Sequence, residues 1–445
     1  MFMKWMRYLC ASTIVSLALA ATLGANWPQW RGPNLDGTTD SAKNLPVEWS
    51  ETKNVVWKLE TPSWSAATPI IWQDTIFITS AEEGSDVLSS NRGRRGAVTD
   101  PKPENDKLFL LAVNRKDGSV LWRKPTGEHN RLFRKQNCAS PSPVTDGKNV
   151  WTMTGQGTFT AFDFKGNQVW QRDIQKDYGE FGLNHGYASS PLLHEDRLYV
   201  QVLHGMKTDD PSYVFAVEKT SGKTIWKVER PTDAQRESPD NYSTPILVTS
   251  GGKLQLVIHG GDYVTGHDLD TGKELWRMGG FNPTGDTSHR TIASSITTGG
   301  IIFTTSTRGR PFIAFRPGGS GTITGKNEVW KNDLGADVPT PTTDGKLIYV
   351  IGDNGVVTSF DAKTGEMVWE RQRIEPGTYS ASPLLADGKI YATSEDGTTS
   401  VLKAGAEFEI LATNKLNSFT LASPVAVGNQ LFIRTSEHLY CIANR

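Results

Sequence analysis

The sequence predicts an all-β fold: an eight-bladed β-propeller of four-stranded antiparallel blades, its ring closed by an N-terminal strand joining the last blade. Three observations carry that expectation. A hairpin phrase ending in tryptophan recurs along the chain, a small hydroxyl-rich run precedes each unit, and the two ends of the chain hold complementary fractions of one unit.

The clearest hairpin is V-V-T-S-F-D-A-K-T-G-E-M-V-W-E, Val356 to Glu370. Alternating residues up to Asp361 form a strand, Thr364-Gly365 a turn in which glycine supplies the positive φ, and a second strand closes on Trp369. Related phrases end at Trp122, Trp170, Trp226, Trp276 and Trp330, the last expanded by extra glycines. Successive tryptophans from Trp122 to Trp369 lie 48, 56, 50, 54 and 39 residues apart. Strand-rich units of about 40 to 50 residues are the signature of a propeller or related array. Such blades share one closed ring, so a long chain remains a single domain.

Each unit opens on a small run: S-A-A-T-P at Pro69, A-S-P-S-P at Pro143, A-S-S-P at Pro191 and Y-S-T-P at Pro245. I-A-S-S-I at Ile296 lacks the proline, and P-T-P-T at Pro341, S-A-S-P at Pro383 and L-A-S-P at Pro424 complete eight. Innermost strands converge on the axis, where small side chains fit, while the bulky tryptophans fill the widening gaps outside. Trp57, Trp122, Trp170, Trp226, Trp276, Trp330 and Trp369 are therefore read as structural. The last unit, Leu421 to Asn444, lacks its outer strand, and Val55–Leu59 with Trp57 has no unit before it. Joining them closes the ring and removes exposed edges. The seventh blade, Tyr379 to Thr413, is degenerate, with Leu411 or its neighbour in the tryptophan position.

Lys4 and Arg7 precede an apolar run from Leu9 to Leu23, the form of a secretory signal peptide occupying 1–25, cut after Ala20 or Ala25. Cys10 precedes that run and is badly placed to accept a lipid. The mature chain then carries 45 basic and 48 acidic residues, a balance that gives no reason to expect nucleic acid. No transmembrane segment is expected in it, and it is expected to be a periplasmic or secreted monomer. Cys138 and Cys441 fall in blades separated by a third and are expected to stay reduced. Residues 26–53 read as an irregular strap packing Trp27, Trp30 and Trp49 against the barrel, or stacking them on a ligand. The propeller proper is 54–445, with an insertion at 82–106 that reads as a plain disordered loop or as a lid or partner-binding arm over the loop-rich face.

The phrase D-x-x-T-G-x-x-x-W, seen at Asp268–Trp276 and Asp361–Trp369, resembles the tryptophan-docking repeat of the pyrroloquinoline-quinone (PQQ)-like propellers. That family includes quinoprotein alcohol dehydrogenases and the non-enzymatic outer-membrane barrel-assembly factor BamB. The opening W-P-Q-W-R-G-P-N-L-D-G looks like the start of secreted PQQ-binding-like propellers. The resemblance implies the fold over about 27–445 and leaves activity open.

Calling the strands of each blade a to d from the axis outward, the a–b and c–d turns emerge on one face and are short. The d–a and b–c connections emerge on the other and hold the unusual chemistry. Six histidines, 129, 185, 204, 259, 289 and 438 in number, are read as belonging to those loops. Candidate ligand-binding residues are His129, Arg131, Arg134, Glu180, Asn184, His185, Asp240, Tyr242, Asp262, His289, Arg290, Arg308 and Arg310. They are expected either to converge on a pocket for a polar or anionic ligand or to satisfy one another.

No catalytic residue and no metal site is assigned, and no cofactor is expected. Neither G-x-S-x-G, H-E-x-x-H nor C-x-x-C occurs, and the adjacent cysteines and C-x-x-C-H haem motif seen in catalytic relatives are missing. The expected function is a scaffold binding a protein or polar ligand through its loop-rich face. The alternative is a PQQ- and calcium-dependent oxidoreductase, with Glu180, Asn184 and Asp240 or Asp262 as an oxygen-rich metal site. A carbohydrate-binding rim using Tyr187 and Tyr242 is a third reading.

Overall fold

The computed structural model describes residues 26–82, 106–133 and 135–445. The expected signal peptide, residues 83–105 of the insertion and Arg134 lie outside the described residues. Eight antiparallel sheets form an eight-bladed propeller. Blade 1 is Ile70–Trp72, Thr75–Ala81, Leu108–Asn114 and Val120–Gly127. Blade 8 takes Val425–Val427, Gln430–Arg434 and His438–Ile442 from the C-terminus and its outer strand, Val55–Glu60, from the N-terminus. Trp57 lies opposite Cys441 and Leu59 opposite Leu439, so both chain ends share one ladder. Cys138 and Cys441 are both buried and reduced.

The small residues at each blade start do more than fit a narrow space. The backbone N–H of Thr68 donates to Ser142 Oγ, Ser142 to Ser190, Ser190 to Thr244 and Thr244 to Ser294. Ser294 donates to Thr340, Thr340 to Ser382 and Ser382 to Ser423, all seven bonds spanning 2.8–3.1 Å. Each donor and acceptor immediately precedes the proline position, which Ser295 fills in blade 5. The hydroxyls are thus a belt that stitches every blade to the next and satisfies N–H groups buried around the axis.

Outside the belt, indoles bridge neighbours. Trp57, Trp122, Trp170, Trp226 and Trp330 donate from Nε1 to Arg115, Phe164, Lys219, Leu269 and Ala362 carbonyls in the next blade's c–d turn. Each ring lies on a glycine of that turn: 118, 166, 222, 272 and 365, where a β-carbon would come within 2.5–3.0 Å of it. Trp276 and Trp369 do otherwise, because the receiving turns differ. Blade 5's long turn sends Gly321–Thr322 to pair with Glu274–Met278, and Trp276 folds onto its own sheet to donate to Gln255. Blade 7's turn offers Phe408, on which Trp369 packs edge-on, and its Nε1 finds no acceptor.

Blade 7 itself has Ala412 where other blades carry tryptophan, opposite Val401. Trp49 from the strap supplies the missing indole, 6.2 Å from Tyr391, and the strap is held there by Asn414, which accepts from Trp49 N and donates to Val47 O. The strap also crosses the axis on the a–b face. It pairs Trp27 with Ile71, accepts at Pro28 O from Thr145 and at Gln29 Oε1 from Leu193, then lays Thr38–Thr39 along Leu384–Ala386. Those inner strands belong to blades 1, 2, 3 and 7, on opposite sides of the ring, so this mouth is spanned and the inner strand edges are capped. Arg31, buried at the crossing, donates to the carbonyls of Pro383, Pro341 and Asp36 at 2.7–2.8 Å. Trp30 is half-buried beneath it.

Gly365 and Gly428 both hold positive φ, 74° and 62°, but a β-carbon at 365 would strike Trp330 at 2.6 Å while none meets anything at 428. Gly428→Ala should cost about 1 kcal/mol from backbone strain alone and Gly365→Ala about 3 kcal/mol. Equal shifts in the urea midpoint would contradict the inter-blade role of Trp330.

Candidate functional site

The d–a and b–c connections surround an open cavity of about 560 Å3 on the axis. Every blade contributes to its wall, from Ala66 in blade 1 through His185, Tyr242 and Arg290 in blades 3 to 5 to Leu421 in blade 8. Four of the candidate residues meet here: His185, Tyr242, Arg290 and Arg308.

Behind that wall Glu237 organises the basic side. His185 Nε2 lies 3.4 Å and Arg290 Nη1 3.7 Å from Glu237 Oε1, to which Asn184 Nδ2 also donates at 3.2 Å. Asp240 is fully buried and accepts three backbone N–H groups, from Asn184 at 2.6 Å, Gly205 at 3.0 Å and Met206 at 3.1 Å. Burial pushes its carboxyl up to about 6 against the pull of those donors. Asp240 therefore pins two loops to one another. Tyr242 OH accepts the His185 N–H at 3.0 Å, fixing the loop that presents the imidazole.

Across the cavity, Lys135 reaches from blade 2 to blade 7 and donates to Glu395 at 2.7 Å, a buried carboxylate also held by Ser380. In blade 6, Asp353 accepts from the N–H groups of Asp337 and Val338, and Asp337 accepts from Arg308 N at 2.7 Å. Burial raises the Asp353 carboxyl. The cavity thus has a basic side on blades 2 to 5 and an acidic side on blade 6, each fastened by internal bonds.

The other candidates lie elsewhere. Asp262 lines a smaller cleft of about 280 Å3 with Asp233 and Asp286, where it accepts from Ser238 and Asn282, and His289 sits 3.9 Å from it. His129 is 81% exposed beside Asp106, and Arg131, Glu180 and Arg310 are exposed away from the cavity wall. Arg134 is outside the described residues. Two histidines read as loop residues are strand residues: His259 lies in Lys253–Gly260, fully buried against Phe281, and His438 begins His438–Ile442. The strands run through both positions, His259 near the end of one and His438 at the start of the other.

Glu237, Lys135, Asp337, Asp353 and Glu395 are not among the candidate ligand-binding residues that the sequence suggests. Glu237 and Lys135 stood inside conspicuous loop phrases, R-E-S-P-D-N-Y and R-K-Q-N-C, next to the residues chosen. Asp353 and Glu395 sit in G-D-N-G and S-E-D-G, which read as ordinary tight turns.

A family model described as outer membrane protein assembly factor BamB matches residues 106–322 and 260–445. The chain belongs to this family. BamB of Shewanella oneidensis is 25% identical over 343 residues, covering 73% of this chain and 75% of that protein. The crystal structure of BamB from Moraxella catarrhalis superposes with a TM-score of 0.60 at 13% identity, over 88% of this chain and 97% of that one. The quinohemoprotein alcohol dehydrogenase of Comamonas testosteroni gives 0.62 at 11% identity, over 94% and 80%. At such identities the two structures speak for the fold alone.

The residues present do not fit the calcium site of the oxidoreductase reading. Both Asp240 oxygens are taken by N–H donors, Glu180 is exposed, and Asp262 belongs to the neighbouring cleft. Among the described residues no group of three or more His, Cys, Asp or Glu is placed to hold a metal ion.

Two buried histidines give the propeller a pH dependence. Burial pulls His259 down to about 3 and His267 down to about 4, so both are neutral in the native state. Between pH 6.5 and 4 the unfolded chain binds protons that the folded one refuses, and stability falls on acidification by up to about 1.4 kcal/mol per pH unit for each group. Asp240 works with the opposite sign between its ordinary value and about 6, and so do Asp36, Asp262 and Asp353, whose carboxyls burial also raises, so these carboxyls offset part of the histidine contribution. From pH 7 to pH 5 the urea midpoint of the wild type should change toward lower stability relative to that of His259→Gln, so that the two proteins differ in slope. An unchanged slope would contradict a neutral buried imidazole.

Proposed function

We propose that this protein is an exported, non-catalytic docking scaffold of the bacterial envelope that engages a protein partner of outer membrane protein assembly through its d–a/b–c face. It acts as a monomer. Family membership supports the assembly role, as does the likeness to the outer membrane protein assembly factor BamB of Shewanella oneidensis. The observation that carries the choice of face is the contrast between the two ends of the axis. One mouth is spanned by the strap, while the other opens a cavity to which every blade contributes. The charged groups there are bonded to one another, Glu237 with His185 and Arg290, Lys135 with Glu395, which suits recognition by shape and surface charge better than proton transfer. Among the described residues no helix is long and apolar enough to cross a membrane.

Deleting the gene in its host should lower the amount of folded outer membrane β-barrel protein, measured by heat-modifiable mobility. Wild type and a control with Lys326→Glu and Lys363→Glu, in turns of the opposite face, should restore it. Arg290→Glu with Arg308→Glu should not, although the variant folds. No change on deletion overturns the assembly role, and equal rescue by both variants overturns the choice of face. Dye-linked alcohol oxidation by protein loaded with PQQ and calcium would overturn the non-catalytic reading.

A further inference from the structure

The hydroxyl belt has one gap. It falls between blade 8 and blade 1, where Thr68 Oγ1 is buried and bonded to nothing. The same seam holds Arg434, the last residue of the second strand of blade 8, which is 1% exposed. Phe432, two residues earlier and on the same side of the sheet, packs 6.0 Å from Trp57, whose indole donates into blade 1. Arg434 therefore faces blade 1. By ladder register it stands where blade 1 has Thr79, blade 3 Gln201 and blade 5 Thr305. Those three side chains each donate across their seam to a backbone carbonyl of the next blade: Ala139, Ser243 and Ala336.

Arg434 does not. Its Nε, Nη1 and Nη2 are buried and none has a hydrogen-bond partner. Among the described residues two other arginines are buried, and each leaves one nitrogen unpartnered, Arg31 Nε and Arg230 Nη1, but both donate elsewhere: Arg31 to three carbonyls, and Arg230 to Thr265 Oγ1 and Tyr263 O at 2.9 Å. No acidic neighbour acts on Arg434, and burial alone pulls its guanidinium down to about 9, which still leaves it charged at neutral pH. A lone buried cation without acceptors costs a large share of a domain's net stability. A water molecule would supply an acceptor and leave the charge uncompensated. One enclosed positive charge calls for one small negative one.

We propose that Arg434 holds a small monovalent anion, a halide or a carboxylate of formate size, enclosed between blades 8 and 1. The site lies beside the blade in which the two chain ends meet, in the seam where the hydroxyl belt is interrupted, so the anion supplies the link missing there. Only the folded ring binds it, and its binding stabilises that ring by mass action. This inference rests on the fold and is independent of the scaffold role.

The test uses the full mature protein, dialysed into sodium gluconate at fixed ionic strength and titrated with sodium bromide, chloride or formate. The thermal midpoint should rise and saturate with at least one of them in the wild type and stay flat in Arg434→Met. A halide response without a formate response identifies the natural occupant as a halide, and the reverse identifies a carboxylate. Wild-type crystals grown in bromide provide a second readout that does not depend on the variant folding. An anomalous peak in contact with the guanidinium supports the site. A water molecule or a protein carbonyl at that place, or an equal salt response in Arg434→Met, overturns it.

Discussion

Seven backbone N–H groups around the axis donate to Ser or Thr hydroxyls of the following blade, and the rest of the molecule depends on that belt. A propeller blade brings its innermost strand, an edge strand, into a space too narrow for bulky side chains and closed to bulk water. Its N–H groups need partners that are both small and polar. A hydroxyl residue immediately before the proline position meets both demands, accepting from one neighbour while its own N–H reaches the other. Apolar packing between blades, as where Trp151 and Phe159 meet Val200 and Phe215, supplies the larger share of stabilisation. The belt sets how the blades are spaced and angled.

From that spacing the two faces acquire different characters. On the a–b side the strap caps inner-strand edges and fills two vacancies, the axis with Arg31 and blade 7 with Trp49. On the other side the loops are free of that duty and converge on a cavity whose basic and acidic walls are held apart by separate anchors, Glu237 and Asp240 on one side and Asp353 on the other. The repeat is regular where it builds the ring and irregular where the d–a and b–c loops line the cavity.

The ring itself was legible because its signals are local and repeated: tryptophan spacing, turn glycines, the hydroxyl before proline, and Val55–Leu59 as the missing outer strand. The substitution of Trp49 for an absent blade tryptophan was not, since it joins residues more than 300 positions apart that no pattern links. Size accounts for the blade-start serines within one repeat, whereas their hydrogen bonds join residues of different blades about 40 to 75 positions apart, which no local pattern encodes. At the site, loop phrases point to the right region and to His185, Tyr242, Arg290 and Arg308, but not to Glu237, which joins His185 to Arg290. Ion pairing is set by distance in space, and spacing along a loop does not encode it. Arg434 was invisible for the opposite reason: within its strand it looks like an ordinary polar terminus, and only burial sets it apart.

The belt is tested most directly by native-state hydrogen exchange at the amides of residues 68, 142, 190, 244, 294, 340 and 382. All seven should exchange only through global opening of the ring, with a common free energy, while Ser423, whose counterpart hydroxyl on Thr68 is unpartnered, exchanges faster. Exchange of the seven at the differing, fast rates of surface turns would show that the blades are not locked through their hydroxyls.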